Sequence, residues 1–439
     1  MRIILVFSLL LFFVGCKNDV KPTKTATTKI NDSLYIKSDE YLTKLTNLKQ
    51  FNGVALLLKD RKKVLQKAYN ISNDSTSSLF VTKESQFDLR SISKLFAKIS
   101  ILQLEETGKL KRSDFIKKYI PNFPNGDKIT IQHLTENSSG LPRELSNSSK
   151  KLINLTPKEV VELAAKETLE FTPGTEERYS NVGFQLLYYI IGQLHGSSYA
   201  DYLQDTFFMP LQMKGSGSNF HENVGAKTHY AFGHYLNEED KIVCECSIPD
   251  DDMQMGNFYA TVADLWLFSS LFDLEKHKTI MHKGSISHAG GTRGKRAYIE
   301  HNLEDKYTII FLANFDELPF QKLVTDLQNI LKGEAVKMPR AINRIAITLP
   351  EEILQQYEGT YDFVDAGHLI LTLKVENDSL YVFQKGNNNG IIYPEDKTTF
   401  FGDKTSEESI KFIKEKTGNF HIIMDFKGAK WKGIKIDER

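Results

Sequence analysis

Cysteine is scarce. Among 439 residues there are three, Cys16, Cys244 and Cys246, too few for a disulfide framework or a structural zinc site. The chain also lacks a charge imbalance: 56 lysines and arginines meet 56 aspartates and glutamates, which removes the electrostatic reason to expect a nucleic-acid partner. No H-E-x-x-H, G-x-S-x-G or G-x-x-x-x-G-K-[ST] segment occurs, so a zincin, an α/β-hydrolase elbow and a P-loop are set aside and no cofactor is expected. The acidic triplet Asp250-Asp251-Asp252 reads as a solvated loop. Glycine and proline are modest in number, and 41% hydrophobic with 26% charged residues is ordinary for a globular protein, which excludes collagen-like, coiled-coil and globally disordered chains.

No apolar run here reads as a membrane span. Ile3 to Val14 is interrupted only by Ser8 and follows Arg2. It is too short to cross ~30 Å of hydrocarbon and suits the core of a signal peptide. Residues 17–34 carry Lys, Thr, Asn and a proline with little to bury, and read as a flexible tether. The length leaves room for two folded units. The boundaries read as a signal at 1–16, a tether at 17–34, a body at 35–335, a linker at 336–350 and a small all-β domain at 351–439.

Within the body, Asp39 to Leu48 reads as a helix, and Gly53 to Leu58 and Val64 to Ala68 form a predicted hairpin. Ile92, Leu95, Phe96, Ile99 and Leu102 share one helical face, with Gly108 placed to end the helix. Thr156-Pro157-Lys158-Glu159 is a capping box that starts another helix, and Phe184 to Leu194 is a third. Ser285 to Gly290, Arg296 to Glu300 and Tyr307 to Ala313 read as strands whose short connections demand antiparallel pairing, and a helix follows at Pro319 to Leu331. Short alternating strands separated by turn signals fill Tyr357 to Lys435, giving a sandwich or barrel. Cys244 and Cys246, at i and i+2, read as structural thiols without a mutual disulfide.

The chemistry begins at Ser91-Ile92-Ser93-Lys94. One helical turn brings Ser91 and Lys94 together, and a serine hydroxyl needs a neighbouring base to become a nucleophile. A second match, Ser148-Ser149-Lys150-Lys151, lies in a polar run with no apolar face and reads as solvated loop. Two further motifs follow in order. Tyr179-Ser180-Asn181 opens into the helix Phe184 to Leu194, where Tyr179 is able to shuttle a proton and Asn181 to bind a substrate carbonyl or hold the lysine. His288-Ala289-Gly290-Gly291 lies on a strand, where glycines let backbone approach a substrate. The N–H groups of Gly291 and Ser91 are candidates for an oxyanion hole. Tyr235-Leu236-Asn237 and Lys416-Thr417-Gly418 are literal matches that sit in turns.

This ordered set resembles the serine β-lactamases, penicillin-binding proteins and related esterases and D-amino-acid peptidases. The resemblance covers about residues 35 to 333 and includes Phe87 to Lys94, Ile129 to Leu134, Ser139-Gly140-Leu141-Pro142 and Ile309 to Asn314. It implies an α+β fold, an antiparallel sheet flanked by helices with a helical subdomain (β-lactamase/transpeptidase-like), plus a small C-terminal all-β domain. It implies a serine hydrolase in which Ser91 is acylated and Lys94 and Tyr179 move protons, with the choice of acylation base open and His288 standing where a lysine is often found. Ala289 lacks the hydroxyl that many members use to hold a substrate carboxylate, which weighs against a true β-lactamase or carboxypeptidase, although Arg293 or Lys295 could supply the anion contact instead. Asn137 stands where the family often has histidine. Phe13-Val14-Gly15-Cys16 resembles a bacterial lipoprotein box, which implies lipidation of Cys16 and an exported protein anchored in the cell envelope. The expected partner is a small-molecule or peptide substrate, the loops 141–155 and 213–255 supplying the pocket walls. The alternative is a non-catalytic binder or sensor on the same fold.

Overall fold

The computed structural model describes residues 26–146, 155–218, 220, 230–246, 256–273, 275–416, 418–426 and 428–436. The apolar leader with Cys16, the second S-x-x-K and the acidic triplet lie outside these residues, as does Lys416-Thr417-Gly418 at its central position.

In chain order the strands of the first unit are β1 Gly53–Lys59, β2 Lys62–Tyr69, β3 Phe87–Asp88, β4 Gly233–Leu236, β5 Ile242–Glu245, β6 Tyr259–Ala260, β7 Ser285–Thr292, β8 Lys295–Asn302 and β9 Tyr307–Ala313. Five of them form an antiparallel sheet in the order β2-β1-β9-β8-β7. β1 and β9 sit in its middle and are buried on both faces, which is why they read as almost unbroken apolar runs rather than alternating ones. The period of two still sorts their side chains. Val54, Leu56 and Leu58 enter the core shared with the helix Ser93–Glu106, while Ala55 and Leu57 face the core of the helix Phe320–Lys332.

The helix Ala26–Asn47 covers the same outer face as Phe320–Lys332. It begins inside the segment that composition alone assigns to a tether. Tyr41, Leu42 and Leu45, within the stretch expected to be helical, are buried together with Leu34 before it, and the Tyr41 hydroxyl donates to Asp326 Oδ2 across 2.6 Å; packing against the sheet extends the helix N-terminally of Asp39. The capping box at Thr156 forms with Glu159, and Gly196 ends the helix Asn181–His195 in the left-handed conformation. β4 and β5 pair as a hairpin, with Tyr235-Leu236-Asn237 at its tip. Cys244 and Cys246 are joined as a disulfide, contrary to the expectation of two separate thiols. Alternate strand residues share a face, and the 5.1 Å between their Cα atoms lies within disulfide reach.

A chain without helix or strand runs from the helix Phe320–Lys332 to Glu351. Beyond it, β10 Gly359–Phe363, β11 Leu369–Glu376, β12 Ser379–Gln384, β13 Asn387–Pro394, β14 Thr399–Phe401, β15 Ser409–Lys414, β16 Phe420–Phe426 and β17 Ala429–Ile436 form a closed barrel. Closure comes from β10 pairing with β17, Thr360 opposite Ile436. Tyr357, Tyr361, Phe363, Phe400 and Phe412 are buried in its core, and Tyr357 stacks on Phe412 with ring centroids 4.0 Å apart.

Phe96 is the aromatic hub beneath the helix Ser93–Glu106. It stacks on Phe268 and meets Phe207 and Phe258 edge-on. Truncation to alanine leaves a cavity that the rigid sheet cannot close. Phe96→Ala is expected to cost about 3–5 kcal/mol, read as a lowered denaturant midpoint, and a midpoint within error of the parent would refute this view of the core.

Candidate active site

The turn Leu89–Ile92 carries Ser91. The Leu89 N–H donates to the Phe258 carbonyl at 3.0 Å and the Arg90 N–H to Asn257 Oδ1 at 3.2 Å. Arg90 has φ 47°, a left-handed conformation that costs a residue with Cβ about 1–2 kcal/mol. A short 3-10 turn, Arg90–Ile92, then leads into the helix Ser93–Glu106. Ser91 and Lys94 meet as the spacing predicts: Lys94 Nζ donates to Ser91 Oγ at 3.2 Å. Lys94 is 5% exposed, with its Nζ 5.1 Å from the ring centroid of Tyr179 and 5.5 Å from that of Phe184.

Tyr179 completes the group, its hydroxyl donating to Ser91 Oγ at 2.7 Å. The segment that delivers it is laced to the Ser-Gly-Leu-Pro loop. Asn137, at φ 57°, accepts from the Arg178 N–H through its carbonyl at 2.8 Å and from the Ser180 N–H through Oδ1 at 3.1 Å. Asparagine tolerates this left-handed backbone. Ser180 Oγ donates to the Pro142 carbonyl and caps the following helix by accepting from the Gly183 N–H. Asn181 is placed beside the site, but its Nδ2 donates to Glu144 Oε1 at 2.5 Å, turning it toward the Arg143-Glu144 rim. Arg143 lies with its guanidinium carbon 5.1 Å from the Tyr179 ring centroid. Neither rim residue was singled out from sequence, since an exposed charged pair in a loop carries no pattern.

The third motif lies on β7, the edge strand of the sheet. Gly290 packs against the nucleophile turn so closely that a Cβ there would overlap the Leu89 carbonyl oxygen, with Ile92 N next nearest at 3.2 Å. Gly291 follows it on the strand, opposite Arg296. His288 is half-buried. Its Nδ1 lies 2.7 Å from the Ala289 carbonyl, and a carbonyl only accepts, so Nδ1 carries the proton and Nε2 is the free acceptor in the neutral ring. Desolvation pushes the imidazolium down to about 4, and the positive charges of Lys98 and Lys94 push the same way. Lys98, one turn beyond Lys94, is itself depressed by burial.

Of the two cations named as anion contacts, Lys295 is held in the interior and Arg293 stacks on a ring at the surface. Arg293, in the β7–β8 turn, lies with its guanidinium carbon 3.5 Å from the Tyr235 ring centroid. Lys295 is buried, with Nζ 2.7 Å from the Tyr230 hydroxyl and 3.3 Å from Asp88 Oδ2. Among the described residues no cluster of His, Cys, Asp or Glu is arranged to hold a metal.

The family model described as Beta-lactamase matches residues 39–279. A penicillin-binding protein of Bacillus subtilis (strain 168) is 26% identical over 407 residues, spanning 80% of this chain and 88% of that protein. The octameric penicillin-binding protein homologue from Pyrococcus abyssi superposes with a TM-score of 0.58 at 21% identity, over 94% of this chain and 100% of that one. The D-amino acid amidase from Ochrobactrum anthropi SV3 gives a TM-score of 0.57 at 18% identity, over 68% of this chain and 99% of that one.

The His288 shift has a sign. A base depressed in the fold is neutral there while its unfolded counterpart, near 6.5, takes up a proton. The unfolded chain therefore binds more protons between about pH 4 and 6.5, and stability from this group is present above that window and is lost as pH falls through it. His288→Gln is expected to flatten the fall in melting temperature over this range, and identical pH profiles for the two proteins would overturn the assignment.

Proposed function

Because the chain belongs to the beta-lactamase family, we propose that it is a serine hydrolase that forms an acyl-enzyme on Ser91 and cleaves an ester or amide. The observation that carries this reading is the convergence of Lys94 Nζ and the Tyr179 hydroxyl on Ser91 Oγ. In acylation one member of the Lys94–Tyr179 pair must stand deprotonated, as a neutral amine or a phenolate; it takes the Ser91 proton as Oγ attacks the substrate carbonyl carbon. The C–O or C–N bond then breaks as the pair passes a proton on to the leaving group. A water molecule attacks the ester carbonyl in the second half, and Ser91 recovers its proton.

The N–H groups of Ser91 and Gly291 are the donors we assign to the oxyanion. The close seat of Gly290 on the Leu89–Ile92 turn supports that assignment, since it brings the two backbones side by side. Neutral His288 presents Nε2 as an acceptor near Lys94 and Lys98, suited to a donor group of the substrate. The likeness of the fold to an amidase and to penicillin-binding proteins supports a small amide or peptide, including a D-amino-acid peptide or cell-wall fragment, alongside small esters.

We further propose that Cys16 is the lipidated end of an exported protein held at the cell envelope, supported by the apolar run Ile3 to Val14 and by Gly15 before the cysteine.

Incubation with a fluorophosphonate or a labelled penicillin, followed by mass spectrometry, is expected to place an adduct on Ser91. Ser91→Ala should lose the adduct and at least about 1,000-fold of p-nitrophenyl ester turnover. No adduct from either probe would turn the protein into a ligand binder on an enzyme's fold. Cys16→Ser is expected to move the protein from the membrane fraction to the soluble one, and continued partition with membranes would remove the lipid anchor.

A further inference from the structure

The catalytic motifs leave one feature of the nucleophile turn without a purpose. Asp88 stands three residues before Ser91 with a wholly buried side chain. Its Oδ2 lies 3.0 Å from Arg90 Nε and 3.3 Å from Lys295 Nζ, while its Oδ1 is buried without a hydrogen bond. Two cations sharing one desolvated carboxylate is a costly arrangement that a packed apolar cluster would replace with little loss.

Here there is a geometry to fix. Arg90 holds φ 47° immediately before Ser91, a conformation that persists only when its surroundings over-determine it. Lys295 opens β8 directly opposite Thr292, the last residue of β7, the strand that carries Gly290 and Gly291. One carboxylate thus ties the residue before the nucleophile to the turn joining the two strands of the third motif.

We propose that Asp88 is a positioning residue that locks the Ser91 turn to the β7–β8 turn and so holds the nucleophile and the Gly291 N–H at one separation. It acts through Arg90 and Lys295 and touches no substrate. The proposal rests on Ser91 being the nucleophile.

Asp88→Asn keeps the shape and removes the charge. Ester turnover is expected to show kcat lowered by about 10- to 100-fold with KM within about twofold, the signature of displaced catalytic groups rather than a damaged pocket. Adding Arg90→Gly should recover about tenfold of that loss, because glycine adopts the positive φ unaided. Hydrogen exchange should quicken in Asp88→Asn over 87–93 and 289–296 and stay unchanged over β1 and β2. Parental kcat in Asp88→Asn overturns the proposal, as does a loss that Arg90→Gly leaves untouched while exchange quickens across the whole sheet. Should the parent protein fail to label at Ser91, the nucleophile reading falls, and the exchange pattern alone then decides whether Asp88 locks the two turns.

Discussion

Everything at the candidate site depends on how closely β7 lies against the turn that carries Ser91. The contact is made backbone to backbone, at Gly290 against Leu89, and any side chain there would force the two apart. An edge strand normally leaves one row of its N–H and C=O groups unpaired. The nucleophile turn is packed on the face of this edge strand toward which a Gly290 side chain would point. The sheet is rigid because β1 and β9 are buried on both faces, and the helix Ser93–Glu106 is held by the Phe96 ring cluster. Serine and strand are therefore fixed to the same solid body.

Around this contact the charges are local and strongly directed, which the zero overall balance conceals. Lys94 sits among aromatic rings rather than carboxylates. Its neighbours Lys98 and His288 add positive charge or none, since His288 is neutral at physiological pH. A site of this kind favours groups that develop negative charge as they react.

Much of the site was legible because its members obey local rules. Ser91 and Lys94 are one helical turn apart, Tyr179 precedes a helix with a serine cap, and the glycines of the third motif lie on a strand. The barrel was legible as an all-β domain from alternation, though nothing in the alternation says that Thr360 would find Ile436 and close it. What escaped was long-range. Asp88 and Lys295 are unremarkable charges until the fold brings them together, and Arg143 and Glu144 acquire meaning only beside Tyr179 and Asn181. The anion-contact role suggested for Lys295 rested on its charge alone, and buried tertiary partners hold its side chain. The first helix was legible only over Asp39 to Leu48; before that its apolar positions are too sparse to read without the sheet that the helix covers.

The pairing of β1 with β9 has a consequence in time. Gly53 is bonded opposite Ala313, so a strand made early in synthesis waits for one made much later. Closing so long a loop is entropically expensive and slow. Until it closes, the hairpin of β1 and β2 exposes an apolar edge to solvent and to other chains. An interior strand of the finished sheet, β1, is thus left open during synthesis, and a cell making this protein has to keep that edge from the wrong neighbour until the last third of the chain arrives.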